Sequence, residues 1–324
     1  MKKLKEIYSY RWYFKLILKR LLSLVGSHKY DFDISFLVCD TYGWILDGIC
    51  NEIIKDINLC SFNKTNLIED IGDSKNYFLT HYTALYPFFC HIKGSFRKNV
   101  FVLYTHDYNE NSTERKRSLY CLSMCKKIFC MNTATKIKLQ KEGIPNHLLY
   151  VIYGGADEEL IIPKSIRNNN TVGIVSNCSD RKNPFLIKRI IQKLKHRQFK
   201  VIGSGWEKIL SDQENVTLVS HDYSNLNDHY RDIDVFFSAS FEEGGPIPLI
   251  ESMMSNAVPV VTRVGFCPDI VNHGKNGFLF DVIDSEDHVI SLIEKAFTFN
   301  ENINNSVEHL TWKNFSSNII QYFE

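Results

Sequence analysis

Residues 234–256 read Asp234-Val-Phe-Phe-Ser-Ala-Ser-Phe-Glu-Glu-Gly-Gly-Pro-Ile-Pro-Leu-Ile-Glu-Ser-Met-Met-Ser-Asn256. The opening, Asp234–Ser238, is short, apolar and rich in β-formers, so it predicts a buried strand. Gly244 and Gly245 follow, where glycine lets backbone approach a ligand closely. Pro248 suits the first turn of a helix, where its missing N–H costs nothing. The helix is predicted to run from Pro248 and stop near Asn256, with its free N–H groups facing the glycine loop. Such a terminus receives anions. Glu243 and Glu251 then stand at the two ends of one strand–loop–helix turn. Carboxylates beside an anion suit neutral hydroxyls, from which they accept hydrogen bonds. The pattern points to a diphosphate with hydroxyl-rich groups, a sugar and a ribose, on its two sides. The competing reading is a surface loop with two glutamates.

Outward from this stretch, strands and helices alternate. After it come Val258–Val261 and Gly277–Phe280, both strand-like. Before it lie strands at 171–175, 199–202 and 216–219, and a helix from Pro184 to His196. The first half repeats the pattern. Strands are predicted at 33–39, 76–80, 100–104, 127–131 and 150–153. Helices are predicted at 44–57, 118–127 and 133–142, the last stopped by Gly143 and Pro145. Alternation of this kind predicts a parallel sheet with crossover helices in each half. Residues 163–170 are polar and unperiodic and read as a linker. The predicted division is therefore a basic amphipathic segment 1–30, a first domain 31–162, the linker, a second domain 171–305 and a last helix 306–324.

The chain has 324 residues, 44% hydrophobic and 23% charged, with a net charge of +1. That length favours two domains, and the balanced charge argues against wholesale nucleic-acid binding. Nine cysteines with no secretory signal predict reduced thiols and a cytoplasmic protein. Cys121 and Cys125 lack partners at metal-site spacing and read as small buried hydrophobes. Residues 1–30 carry eight Lys and Arg against a single Glu6, interleaved with aromatic and aliphatic residues. Charge interrupts this stretch too often for a bilayer span. It fits either a helix on an anionic membrane surface, at the inner face of the plasma membrane, or a helix packed on the protein itself.

The run Ser240-x-x-Glu243-Gly-x-x-x-Pro248-x-x-Glu251, then Pro259-Val-Val, Gly265, Asp269-Ile-Val and Asn276-Gly-Phe-Leu, resembles the retaining glycosyltransferases of family GT4, glycosyl transferases group 1. The resemblance is dense over residues 171–282 and thinner before them. It implies an α/β protein of GT-B fold: two Rossmann-like doubly wound domains facing across a cleft, with a C-terminal helix crossing back. It implies a nucleotide sugar held by the second domain, on Gly244, Gly245, Pro246, Ile247 and Glu251, with Glu243 at the donor sugar. Lys182 would stabilise the leaving diphosphate. The family's arginine five residues earlier is Asn177 here, so either Arg181 substitutes from elsewhere on the loop or the site works with one fewer cation. Gly203 would line the donor pocket and Tyr223 would meet the base.

On the first domain, His106 follows a predicted strand and matches the family's sugar-site histidine. His81, Gly43 and Trp44 fall on the acceptor side. The acceptor is expected to be a glycan or lipid-linked, as in bacterial surface-polysaccharide synthesis. Protein groups handle the diphosphate charge, so no metal or other cofactor is expected. The alternatives are a non-catalytic member that only binds a partner, and a nucleotide-sugar epimerase or dehydrogenase. A dehydrogenase predicts Gly-x-Gly-x-x-Gly after an early strand, whereas Gly203-Ser-Gly205 stands alone.

Overall fold

The computed structural model describes residues 30–323, except 42, 44, 58–60, 93–98, 108–109, 168–169 and 221–224. The basic segment 1–29 therefore lies outside the described residues, as do Trp44 and Tyr223. The chain divides into two compact units. One comprises residues up to Ile152 together with Phe315–Glu324; the other is Tyr153–Asn314.

The first unit contains β1 (Phe32–Leu37), α1 (Ile45–Asp56), β2 (Phe62–Thr65), β3 (Ser74–Leu79), α2 (Leu85–His91), β4 (Asn99–Tyr104), α3 (Ser112–Leu122), β5 (Lys127–Cys130), α4 (Thr133–Lys141) and β6 (Leu149–Val151). Its six strands are all parallel, in the order β2-β1-β3-β4-β5-β6. Runs such as Val100–Tyr104 are continuously buried, as strands covered on both faces require. β2 was not predicted: its Phe-Asn-Lys-Thr carries little apolar signal and pairs only along β1 at the sheet edge. α3 begins six residues before its predicted start, because Asn111 and Glu114 form a capping box. Cys121, on its buried face, and Cys125, just past its end, both pack into the core.

The second unit contains β7 (Thr171–Val175), α5 (Pro184–Lys193), β8 (Gln198–Ile202), α6 (Glu207–Leu210), β9 (Val216–Val219), α7 (Leu226–Arg231), β10 (Val235–Ser238), α8 (Ile247–Met254), β11 (Val258–Thr262), α9 (Cys267–Ile270), β12 (Phe278–Phe280) and α10 (Glu286–Phe297), followed by α11 (Trp312–Ile320), which runs on into the first unit. The strand order is β12-β11-β10-β7-β8-β9, again parallel throughout. The chain reverses its direction of travel across the sheet between β7 and β10. In the first unit it does so between β1 and β3. Ligand crevices in open parallel sheets form outside the carboxyl ends of the strands at such switch points.

The predicted linker needs correction. Residues 163–167 do not separate the units but belong to the second. Lys164 Nζ pairs with Asp234 Oδ1 at 3.1 Å, and Arg167 donates to the carbonyls of Asn256 (3.0 Å) and Phe299 (2.6 Å). The stretch looks like a linker because it lacks apolar periodicity; its cations are nonetheless held by carbonyls. The crossings fall at Ile152/Tyr153 and Asn314/Phe315. Within the second unit these two strands of chain run side by side: Ala156 N–H donates to Leu310 O at 3.0 Å and Trp312 N–H to Ala156 O at 3.2 Å. The returning C-terminal residues anchor in the first unit through Phe323, whose ring lies 5.1 Å from that of Phe101 and 6.2 Å from that of Phe78.

Candidate functional site

The loops that leave β7 and β10 meet at the second switch point. After β7 the chain forms one short turn over Asp180–Lys182. Asn183, in a left-handed conformation, and Pro184 then start α5. After β10 comes Ala239-Ser-Phe-Glu-Glu243. Phe241 N–H donates to Arg181 O at 2.9 Å, and Arg181 Nη1 donates to Glu242 O at 2.8 Å, so the two loops are sewn together.

Glu243 is the centre of this junction. Its Oε2 accepts from Arg181 Nη1 at 2.6 Å. Its Oε1 accepts from Lys182 Nζ and from Ser240 Oγ, the latter at 2.8 Å. Side-chain exposure is 7% for Glu243, 16% for Lys182 and 46% for Arg181. The Lys182 pair is thus largely out of water, where charge interactions are stronger, while Arg181 reaches solvent. Burial pushes the Glu243 carboxyl up, but the charges of Lys182 and Arg181 and the hydrogen bonds outweigh it, leaving the pKa below its ordinary value. Glu243 is therefore a carboxylate at neutral pH. Gly265 permits the turn of this loop: a Cβ there would lie 2.8 Å from the carbonyl oxygens of both Glu243 and Gly244.

Glu251 sits one turn into α8, as its spacing predicts, and is buried. Its Oε2 accepts from the Tyr230 hydroxyl at 2.5 Å. Burial raises its pKa to about 7; the Tyr230 hydrogen bond opposes the rise and Asp157 adds to it. The two glutamates of one motif therefore have opposite tendencies, one held ionised and one near half-protonation at neutral pH. Pro246, extended, caps α8, and Leu249 N–H donates back to Pro246 O at 2.9 Å. Pro246 and Ile247 are buried and Gly244 and Gly245 form the turn before them.

Asn177 does not join the cation cluster. Its Oδ1 accepts from Ser204 N–H and Oγ, both at 3.0 Å. Gly203 lies against this loop so closely that a Cβ would be 2.2 Å from Ser176 O. Asn177 and Gly203 thus lock the loops after β7 and β8 together, and Arg181 supplies the second positive charge beside Lys182.

In the first unit, the rings of His81 and His106 lie edge to face at 5.6 Å, at the carboxyl ends of β3 and β4. His81 is buried, and its Nδ1 accepts from Thr83 N–H at 3.3 Å. Burial lowers its pKa to about 4, with the neighbouring His106 adding to the fall, so it is a neutral imidazole. His106 Nδ1 lies 3.0 Å from Thr105 Oγ1. Asp107 is used structurally: it accepts from Tyr104 OH at 2.5 Å and pairs with Lys138 at 2.6 Å. Gly43 has φ +86° with nothing within 4 Å of where its Cβ would lie, and its N–H donates to Asp47 Oδ2 at 2.9 Å.

Sequence reasoning missed Tyr230, the partner of Glu251; the i, i+4 pair Leu226 and Tyr230 on a short helix was its only signal. Among the described residues, no group of three His, Cys, Asp or Glu is placed to hold a metal ion, and no helix is long and apolar enough to cross a membrane. A larger cavity of 520 Å³ lies at the opposite, amino-terminal edge of the second sheet, lined by Lys164, Arg167, Asn256 and Phe299. Its cations are already committed to Asp234 and to carbonyls, so it is a structural seam.

Residues 169–296 match the family described as Glycosyl transferases group 1, and the chain carries a domain of that kind. The fold is that of the GT-B glycosyltransferases. HepE from Anabaena, solved with UDP and glucose, superposes with a TM-score of 0.70 at 14% identity, over 90% of this chain and 98% of that one. The lipopolysaccharide outer core galactosyltransferase WaaB gives 0.67 at 13% identity, over 89% and 98%. The sulfoquinovosyl transferase SQD2 of Arabidopsis thaliana is 32% identical over 115 residues, which are 33% of this chain and 22% of that protein. The aligned part is thus about a fifth of that curated relative's length.

Proposed function

We propose that the protein is a retaining glycosyltransferase of family GT4. It would move a sugar from a nucleoside diphosphate sugar to a hydroxyl of a glycan or lipid-linked acceptor, in the synthesis of a cell-surface polysaccharide. The observation that carries this reading is the junction of Lys182, Arg181 and Glu243 at the switch point of the second sheet, beside the start of α8. An arriving diphosphate competes with Glu243 for both cations, and the N-terminal end of α8 adds its dipole. As the bond from the sugar's C1 to the diphosphate oxygen breaks, the electron pair leaves with the diphosphate, whose charge Lys182 stabilises. The acceptor hydroxyl oxygen bonds to C1, and its proton passes to the departing diphosphate oxygen. Glu243, released from its cations, accepts hydrogen bonds from the sugar hydroxyls. Glu251 does the same for the ribose. The structures of HepE with UDP and with UDP-glucose support a nucleotide-sugar donor. His106 would contact the transferred sugar or the acceptor, and His81 would line the acceptor side as a neutral hydrogen-bonding group. No metal is assigned a role, so chelation with EDTA is expected to leave turnover unchanged. The basic residues 1–30 suit an anionic membrane surface and so a lipid-linked acceptor; sedimentation with vesicles with and without anionic lipid tests that attachment.

The experiment is incubation with a panel of UDP-, GDP- and ADP-sugars, with free nucleotide and product detected by mass. Release of nucleotide from one donor is expected. A second reading, a non-catalytic binding protein, is favoured by the commitment of Asn177 to Ser204 where the family has a cation. Failure of every donor to bind or react would select it.

A further inference from the structure

The first unit holds a cavity of 210 Å³ between the start of α2 and the first turns of α3, with Tyr82, Tyr86, Glu110, Glu114, Arg117 and Ser118 in its wall. It adjoins the histidine pair: Tyr82 directly follows His81, and its ring stacks on that of Tyr104 at 4.3 Å. Part of the wall is polar and incompletely satisfied. Arg117 Nε is buried with no hydrogen-bond partner among the described residues. The guanidinium lies over the Tyr86 ring, 4.5 Å from its centroid. The two nearby carboxylates are engaged elsewhere. Glu110 accepts from Ser118 Oγ at 2.5 Å and from Arg115 at 3.3 Å, and Glu114 accepts from the Asn111 N–H at 3.0 Å. A buried N–H without a partner calls for an explanation, and a ligand atom is one.

Charge decides the class of ligand. An oxyanion entering the cavity gains Arg117 but meets Glu110 and Glu114. A neutral polyol suits both: Arg117 donates to one hydroxyl oxygen, and the carboxylates retain lone pairs for neighbouring hydroxyl protons. The volume is below the ~300–1,000 Å³ of pockets for drug-sized molecules, and suits one ring. We propose that this cavity is a subsite for a single neutral sugar ring of the acceptor, with Arg117 as its hydrogen-bond donor. The proposal rests on the acceptor reading given above for the first unit.

The test uses the full chain and the methyl glycosides of glucose, galactose, mannose and N-acetylglucosamine, with binding followed by saturation-transfer NMR. At least one glycoside is expected to bind, and Arg117→Ala to weaken it roughly tenfold, the loss of one charged hydrogen bond. The melting transition should be unchanged. Because the variant removes a partly buried side chain, hydrogen exchange is also measured on the unaltered protein. The bound glycoside should slow exchange within Ser112–Leu122. The proposal is overturned if no glycoside binds, if binding is equal in both proteins, or if inorganic phosphate displaces the glycoside from the Arg117 region. Binding of UDP, GDP and ADP is measured on the same samples. Failure of the unaltered protein to bind any of the three would contradict the glycosyltransferase reading. Binding of one nucleotide without an Arg117-dependent glycoside signal would contradict the subsite alone.

Discussion

The two units share a parallel, doubly wound plan, yet their strand ends carry different chemistry. In the second unit the loops after β7 and β10 concentrate charge: Lys182 and Arg181 converge on Glu243. In the first, the ends of β3 and β4 carry His81 and His106, and burial keeps His81 neutral. On the proposed function, the arrangement in the second unit would serve a charged leaving group and that in the first neutral hydroxyls. The difference arises in loops, because the sheet fixes only where a loop begins.

The strongest way to break this contrast is Lys182→Ala. If Lys182 stabilises a departing diphosphate, turnover with the reactive donor should fall about 100- to 1000-fold, as for removal of one oxyanion-stabilising group. A change of less than about tenfold would move the charge-handling role elsewhere.

Titration sharpens it next. Glu251 has its folded pKa raised from 4.5 to about 7, so the folded protein holds a proton that the unfolded chain releases. Its contribution to stability therefore falls as pH rises from about 4.5 through about 7, by on the order of 3 kcal/mol. Glu251→Gln should abolish that slope in the second unit. If Glu251 holds the ribose as proposed, the same variant should weaken donor binding, since an amide can still accept from Tyr230 but presents a donor where the hydroxyl would need an acceptor. His81 has the opposite sign. Its folded pKa is lowered from 6.5 to about 4, so the unfolded chain takes the proton first. Stability of the first unit should fall as pH drops from about 6.5 towards about 4, and His81→Gln should flatten it. Segment-resolved hydrogen exchange across this range checks both, and slopes of equal sign in the two units would refute the contrast.

The smallest effect is expected from Arg181→Ala. Its side chain is 46% exposed and screened, so donor binding should weaken by about tenfold or less. A loss equal to that of Lys182→Ala would mean that Arg181 fills the place of the family's arginine more fully than its exposure suggests.

Much of this was legible in sequence because buried parallel strands are written as short apolar runs. β7 and β9 were predicted to the residue, and Glu251 fell on α8 as its spacing requires. β2 was not legible, since an edge strand needs little burial. The convergence of Arg181 on Glu243 was not legible either. Their 62-residue separation is closed only by the pairing of β7 with β10, which apolar patterning does not specify. α10 was overlooked although Ser285 caps it and Val289, Leu292, Ile293 and Ala296 mark its buried face.

The most direct test is calorimetric titration of UDP, GDP and ADP into the unaltered protein and the Lys182→Ala variant. The account predicts that one nucleotide binds the unaltered protein and that the variant binds it at least about tenfold more weakly, the loss of one charge-assisted contact. Equal affinity in the two proteins, or binding of none of the three, would contradict it.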